Sequence, residues 1–204
     1  APLDTIKKLV ELGANINSVN ENGNSPLITA LSHKHFKLAD YLLGLPGIDV
    51  NIKNNVGYTA ITRASFNGAP LDTIKKLVEL GANINSVNEN GSSLLITSLK
   101  NKRFELVDYL LSLPGIDVNI KNKDGDTAIT WASFNGAPID TIKKLVELGA
   151  DINGVNGDGS SLLILAISRK HFKIADYLLG LPGIDVNIKN KHGHTAITLA
   201  SDNN

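Results

Sequence analysis

The sequence predicts an all-α fold of stacked helix pairs. Three observations predict it: a repeat every 34 residues, a short capped helix followed by an amphipathic one inside each period, and an Asn- and Gly-rich arm joining one period to the next. The segment APLDTIKKLVELGANINSVNENG stands unchanged at 1–23 and 69–91, and APIDTIKKLVELGADINGVNGDG follows at 137–159. The larger period is therefore 68, and two versions of a 34-residue unit alternate within it. Asn17, Asn51, Asn85, Asn119, Asn153 and Asn187 recur in step, as do Gly23, Gly57, Gly91, Gly125, Gly159 and Gly193. Such regularity points to a stack in which each unit touches mainly its neighbours.

The first helix of a unit starts at Ser25 or Thr59, whose hydroxyl suits an N-cap, with Pro26 fitting the first turn. The second starts near Pro70 and places Leu71, Ile74, Leu77 and Val78 at spacings of three and four, opposite Lys75, Lys76 and Glu79. Asp72 complements its positive end, and Gly81 supplies a left-handed stop; the sister helix around Tyr41 stops at Leu45, Pro46 and Gly47. The segment ANINSVNENG reads as an extended arm with a tight turn at its tip.

The chain of 204 residues is 42% apolar, with 20 basic and 20 acidic residues. Zero formal charge excludes a disordered tail and a general polyanion binder, so no nucleic-acid partner is expected. Without cysteine there is no disulfide framework and no thiolate site. The longest apolar runs, such as 161–167, are too short for a membrane span, and 1–8 carries no export signal. A cytoplasmic location, or a host cytosol for a protein of an intracellular microbe, is the expectation.

The segments NGNSPLITALSHKHFKLADYLLGLPGIDVN and VGYTAITRASFNGAPLDTIKKLVELGANIN resemble ankyrin repeats: a Gly and Thr-Pro-Leu-His-like start to the first helix, and Leu-Leu and Gly-Ala-Asp-Val-Asn-like residues after the second. Six copies in phase cover the whole chain. The resemblance implies an ankyrin-like solenoid of helix pairs with hairpin-like arms, forming one domain over 1–204. Its divisions are a half unit 1–19, full units 20–53, 54–87, 88–121, 122–155 and 156–189, and a half unit 190–204. The family's histidine is replaced by Ile28, Ile96 and Ile164 or by Thr62, Thr130 and Thr198; the threonines still offer local hydrogen bonds, the isoleucines none. The chain opens on a second helix over 2–12 and closes on a first helix over 195–203, with Asp202, Asn203 and Asn204 suggesting a polar edge.

Neither a nucleophile with a base, nor paired carboxylates, nor a phosphate loop is present, so no enzyme and no cofactor are expected. The glycines of NENGSS and NGDGSS belong to tight turns without a P-loop lysine. His33 with His35, and His192 with His194, form close pairs, but neither has a converging third ligand, and no metal site is expected. Asn90-Gly91-Ser92 is formally a glycosylation acceptor, read as a chance match in an Asn-rich chain. The paired lysines at 7 and 8, 75 and 76, and 143 and 144 sit beside acidic residues and read as a solvated face.

Copies 1–68 and 69–136 differ at 13 positions; ten of these fall on the arm, the first helix or the turn after it, so variation is concentrated there. Val56, Asp124 and His192 are equivalent, as are Tyr58, Asp126 and His194, and Arg63, Trp131 and Leu199. Swaps of charge and size together predict exposed side chains, because overpacking or a buried unpaired charge costs about 1 kcal/mol or more. The ankyrin resemblance implies that arms and first helices line one concave face used for protein partners. A protein or peptide is thus expected on Val56, Tyr58, Arg63, Asp124, Asp126, Trp131, His192, His194 and Leu199. Trp131 and Tyr58 are the expected anchors, Arg63 a partner for a carboxylate, and Asn24, His33, Asn101 and Arg169 rim groups. Phe66 and Phe134 are expected to pack between units. Two alternatives stand beside this reading: head-to-tail self-association through uncapped ends, and an engineered or consensus scaffold without a native ligand, which the near-identical copies and the absence of Met and Cys also fit.

Overall fold

The computed structural model describes residues 2–202. The described residues form helices in two compact units, 1–89 and 90–204. The first unit holds α1 (Leu3–Glu11), α2 (Pro26–Ser32), α3 (Phe36–Leu42), α4 (Ala60–Phe66) and α5 (Leu71–Glu79). Within it α2 packs on α3 and α4 on α5, while α2 also lies against α4 and α3 against α5. The second unit holds α6 (Leu94–Lys100), α7 (Phe104–Leu111), α8 (Ala128–Asn135), α9 (Ile139–Glu147), α10 (Leu162–Ser168), α11 (Phe172–Leu179) and α12 (Ala196–Asp202). There α6, α8, α10 and α12 form one layer and α7, α9 and α11 the other, each pair closed by its short turn. Asn203 and Asn204 lie outside the described residues, and with them most of the polar edge expected there.

The hydroxyl caps do what the sequence predicts. Ser25, Ser93 and Ser161 Oγ accept the N–H of Ile28, Ile96 and Ile164 at 3.2, 3.2 and 3.3 Å. At Thr59 and Thr127 the bond is reciprocal: the backbone N–H of each donates to Oγ1 of Thr62 or Thr130 at 2.9 Å. The threonines in the place of the family's histidine therefore tie the helix start locally, whereas Ile28, Ile96 and Ile164 are buried and contribute packing. A cap of this kind is worth about 1 kcal/mol.

Second helices are held by their neighbours more than by their own sequence. Leu77 in α5 and Leu145 in α9 are wholly buried, yet the equivalent Leu9 in α1, whose nine residues are identical to those of α5, is 52% exposed. Burying such a side chain contributes roughly 1.5–3 kcal/mol, and it is gained only where another repeat covers it.

The recurring asparagines link repeats within each unit. Asn17 Nδ2 donates to the Gly47 carbonyl at 2.8 Å while its Oδ1 accepts the Asp49 N–H at 2.9 Å. Asn51 does the same to Gly81 and Asn83, Asn119 to Gly149 and Asp151, and Asn153 to Gly183 and Asp185. At the arm tips a second series, Asn20, Asn54, Asn122, Asn156 and Asn190, accepts the N–H groups two and four residues on, which closes each turn. Among the described residues the arms stop short of regular strands and reach only isolated bridge positions, at Val87 and Ser93 and between Val155 and Ser161. Gly23 shows why the tip needs glycine: its φ is +74°, and a Cβ there would lie 2.6 Å from Asn55 Oδ1 on the next tip.

Candidate functional site

In the unit 90–204 the arms and first helices enclose an open groove of about 830 Å³. Lys100 at the end of α6 lines it, with Thr130, Trp131 and Phe134 of α8, Leu165 of α10, and the arm tips 123–126 and 156–158. Asn122 sets the first tip: its Oδ1 takes the N–H of Asp124 at 3.0 Å and of Asp126 at 2.8 Å, leaving Asp124 exposed and Asp126 half-buried beside α8. Trp131 follows on the first turns of α8 and meets Phe134 edge to face at 5.6 Å between ring centroids. The Lys100 Nζ lies 5.1 Å from the indole centroid.

Two polar groups in this groove are poorly served. The Trp131 indole N–H is buried and has no acceptor in hydrogen-bond geometry, although it lies near enough to Asp126 to favour that carboxylate's charge. Burial pushes the Asp126 carboxyl above the ordinary range for Asp, and Asp124 adds repulsion; a long 3.4 Å bond from Asn122 Nδ2, the indole and Lys100 oppose the rise.

The equivalent place in the unit 1–89 is occupied. Tyr58, Arg63 and Glu89 stand 68 residues before Asp126, Trp131 and Gly157. The Tyr58 hydroxyl donates to Glu89 Oε1 at 2.8 Å, and the Arg63 guanidinium stacks 3.6 Å from the ring centroid. Burial first, and then Glu89, push the phenol pKa up, while Arg63 pulls it down. The expectation that Tyr58 is an exposed anchor is therefore corrected: it is 3% exposed, and its ring is the floor on which Arg63 rests. The variable position shared by Ala30 and Ser98 is also buried; there the exchange adds one small hydroxyl that Ser98 donates to the Leu94 carbonyl at 2.7 Å.

The remaining expected residues are not gathered into one place. Asp124, Asp126 and Trp131 come together in the groove. Arg169 lies beside it, its guanidinium 3.9 Å from the Phe134 centroid, so Phe134 packs between repeats as expected while Phe66 is 57% exposed. Asn101 is exposed at the end of α6, and Leu199 is half-buried on α12. His192 and His194 are exposed on an arm tip with ring centroids 6.4 Å apart. In the unit 1–89, Val56 is exposed, Arg63 is half-buried, and Asn24 accepts a bond from Asn54 Nδ2 at 2.8 Å. His33 is exposed there, its Nδ1 lies 2.9 Å from the Thr29 carbonyl, and its ring stacks on His35. No group of three His, Asp or Glu that would hold a metal is found among the described residues, and none of their helices is long and apolar enough to cross a membrane.

Gly157 is the residue that sequence comparison between copies 1–68 and 69–136 misses, because the change from glutamate falls in the third copy. A Cβ at Gly157 would run into the Asp124 carbonyl oxygen, so this tip can sit against its neighbour only without a side chain.

Stacked helix pairs, hydroxyl caps and hairpin-like arms define a class of repeat protein, and the comparisons assign it. Family models described as ankyrin repeats (3 copies) match residues 2–88 and 61–156, and one described as ankyrin repeats (many copies) matches 145–200. The chain belongs to the ankyrin repeat family. It is similar to the crystal structure of EF0377, an ankyrin repeat protein, with a TM-score of 0.74 and 28% identity over 91% of this chain and 94% of that one. Rabankyrin-5 of Mus musculus is 28% identical over 74% of the chain, and the NAD-dependent deacetylase sir2B of Dictyostelium discoideum is 29% identical over 89%. The chain spans only 13% and 24% of the lengths of these two relatives. Ankyrin repeats generally mediate protein–protein interaction and are generally non-enzymatic.

Proposed function

We propose that the chain is a non-enzymatic binding module that holds a protein or peptide in the groove of the unit 90–204, around Trp131. One observation carries this reading: a large aromatic side chain sits in an open groove beside a half-buried carboxylate, which its own buried N–H approaches without reaching hydrogen-bond geometry. Aromatic groups in such partly desolvated recesses dominate interface energetics, and a preformed groove lowers the ordering cost of binding. Affinity capture from lysate, comparing the chain with its Trp131→Ala variant, tests it. Proteins retained by the former and lost from the latter, with the unfolding midpoint unchanged, support the reading; the same proteins retained by both contradict it.

Head-to-tail stacking of copies is the second reading, favoured by Ile197 on α12, which is 73% exposed where the equivalent Ile129 is 1% exposed. Further repeats of a longer chain would cover the same face. Static light scattering over a concentration series decides: a mass that climbs with concentration supports stacking, and a constant monomer mass contradicts it.

A further inference from the structure

We propose that the guest of this groove is an extended protein segment bearing an arginine, its guanidinium stacked on the Trp131 indole and bonded to the carboxylates of Asp126 and Asp124. This rests on the reading that the groove holds a protein partner, and it names the chemistry of that partner.

The chain itself shows how it treats aromatic faces at these positions. Arg63 lies 3.6 Å over the Tyr58 ring, and Arg169 lies 3.9 Å over the Phe134 ring. The cation over Trp131 is the Lys100 ammonium, at the looser distance of 5.1 Å, and Phe134 meets the same indole edge to face. Indole is the strongest of the aromatic faces for a cation, and a flat guanidinium covers it better than an ammonium does. Lys100 is exposed on a flexible stem and can be displaced into water.

Charge selects the same guest. Asp124, Asp126 and Asp158 line the groove against two ammonium groups, Lys100 and Lys123. Among the described residues none of these three carboxylates makes an ion pair within 4.0 Å. Asp126 is the one that burial disfavours most, and a guanidinium would return to it the donors that water no longer supplies. A phosphate or carboxylate set over the indole would instead face Asp126 and Asp124, with Lys100 and Lys123 to offset them and Arg169 held on the Phe134 face. In the unit 1–89 the corresponding space is closed by the Tyr58 phenol and the Glu89 carboxylate; with Asp126 and Gly157 in their places, the guest supplies the missing cation. The buried Trp131 N–H then has an acceptor in the backbone carbonyl of the same extended segment.

Trp131 is the single tryptophan of the chain, so its emission reports on this groove alone. Acetylated, amidated heptapeptide mixtures, randomised around a central residue fixed as Arg, citrulline, Lys, Leu or Glu, are titrated into the full chain while that emission is followed. The Arg mixture should reach half-saturation at about tenfold lower concentration than the citrulline or Leu mixture, and Asp126→Asn should erase most of that advantage. A Lys, Leu or Glu mixture that matches or exceeds the Arg mixture overturns this inference while leaving the groove a peptide site. Emission unmoved by every mixture overturns the proposed function as well.

Discussion

Residues 58, 63 and 89 in one unit and 126, 131 and 157 in the other hold the same places in their repeats, and they do opposite things. Tyr58, Arg63 and Glu89 bond and stack on one another until the ring is 3% exposed, whereas Asp126, Trp131 and Gly157 leave an open groove of about 830 Å³. The caps and asparagine links around them repeat with nearly the same distances. The difference teaches that a recognition surface on a repeat scaffold arises by vacating a position as much as by adding a side chain. Exchanging a glutamate for a glycine and a phenol for a short carboxylate makes room, and arginine to tryptophan then furnishes the wall.

Truncation separates the two places most sharply. Tyr58→Ala should cost about 3 kcal/mol of folding stability, because it removes a buried ring and leaves Arg63 and Glu89 without their bridge; denaturant unfolding measures it. Trp131→Ala should leave the unfolding midpoint nearly unchanged and weaken partner binding by more than about 1 kcal/mol, read by calorimetry against a captured partner. A large loss of stability in the second variant, with binding intact, would make Trp131 a packing residue like Tyr58 and remove the contrast.

Titration gives smaller effects of a definite sign. Asp126 has a folded pKa raised above its unfolded value, so its contribution to stability is present at low pH and is lost as pH rises through the folded pKa. Asp126→Asn should therefore raise the melting temperature relative to the parent chain at about pH 7 and not at about pH 3, where both side chains are neutral. Tyr58 is raised as well, so its contribution is full below its unfolded value of about 10 and declines as pH climbs through the higher folded value. Thermal melts above about pH 10 should thus lose stability in the parent chain and lose less in Tyr58→Phe.

Much of the architecture was legible in the sequence because periodicity carries it. The spacing of Ile74 and Leu77, the hydroxyls of Ser25 and Thr59, and Asn51 every 34 residues each announce a local requirement that the structure meets. Variation between copies likewise marked Asp124, Asp126 and Trp131, which the structure brings together. What it did not reveal was the direction of each change. Tyr58 and Asp126 hold equivalent places, yet one is covered and the other lines a groove, because exposure depends on the residue one repeat further on, Glu89 or Gly157. Reading a position in isolation treats both as surface; reading it with its neighbour on the next tip distinguishes them. Leu9 and Leu77 carry the same lesson for the core, since identical helices bury different amounts according to what lies beside them.

Acrylamide quenching of the single tryptophan tests most directly whether the 126, 131 and 157 positions form an open groove. Emission that is readily quenched in the free chain, and protected when an arginine-bearing peptide is added, is the predicted result. Emission that resists quenching in the free chain as a core indole does would contradict the account.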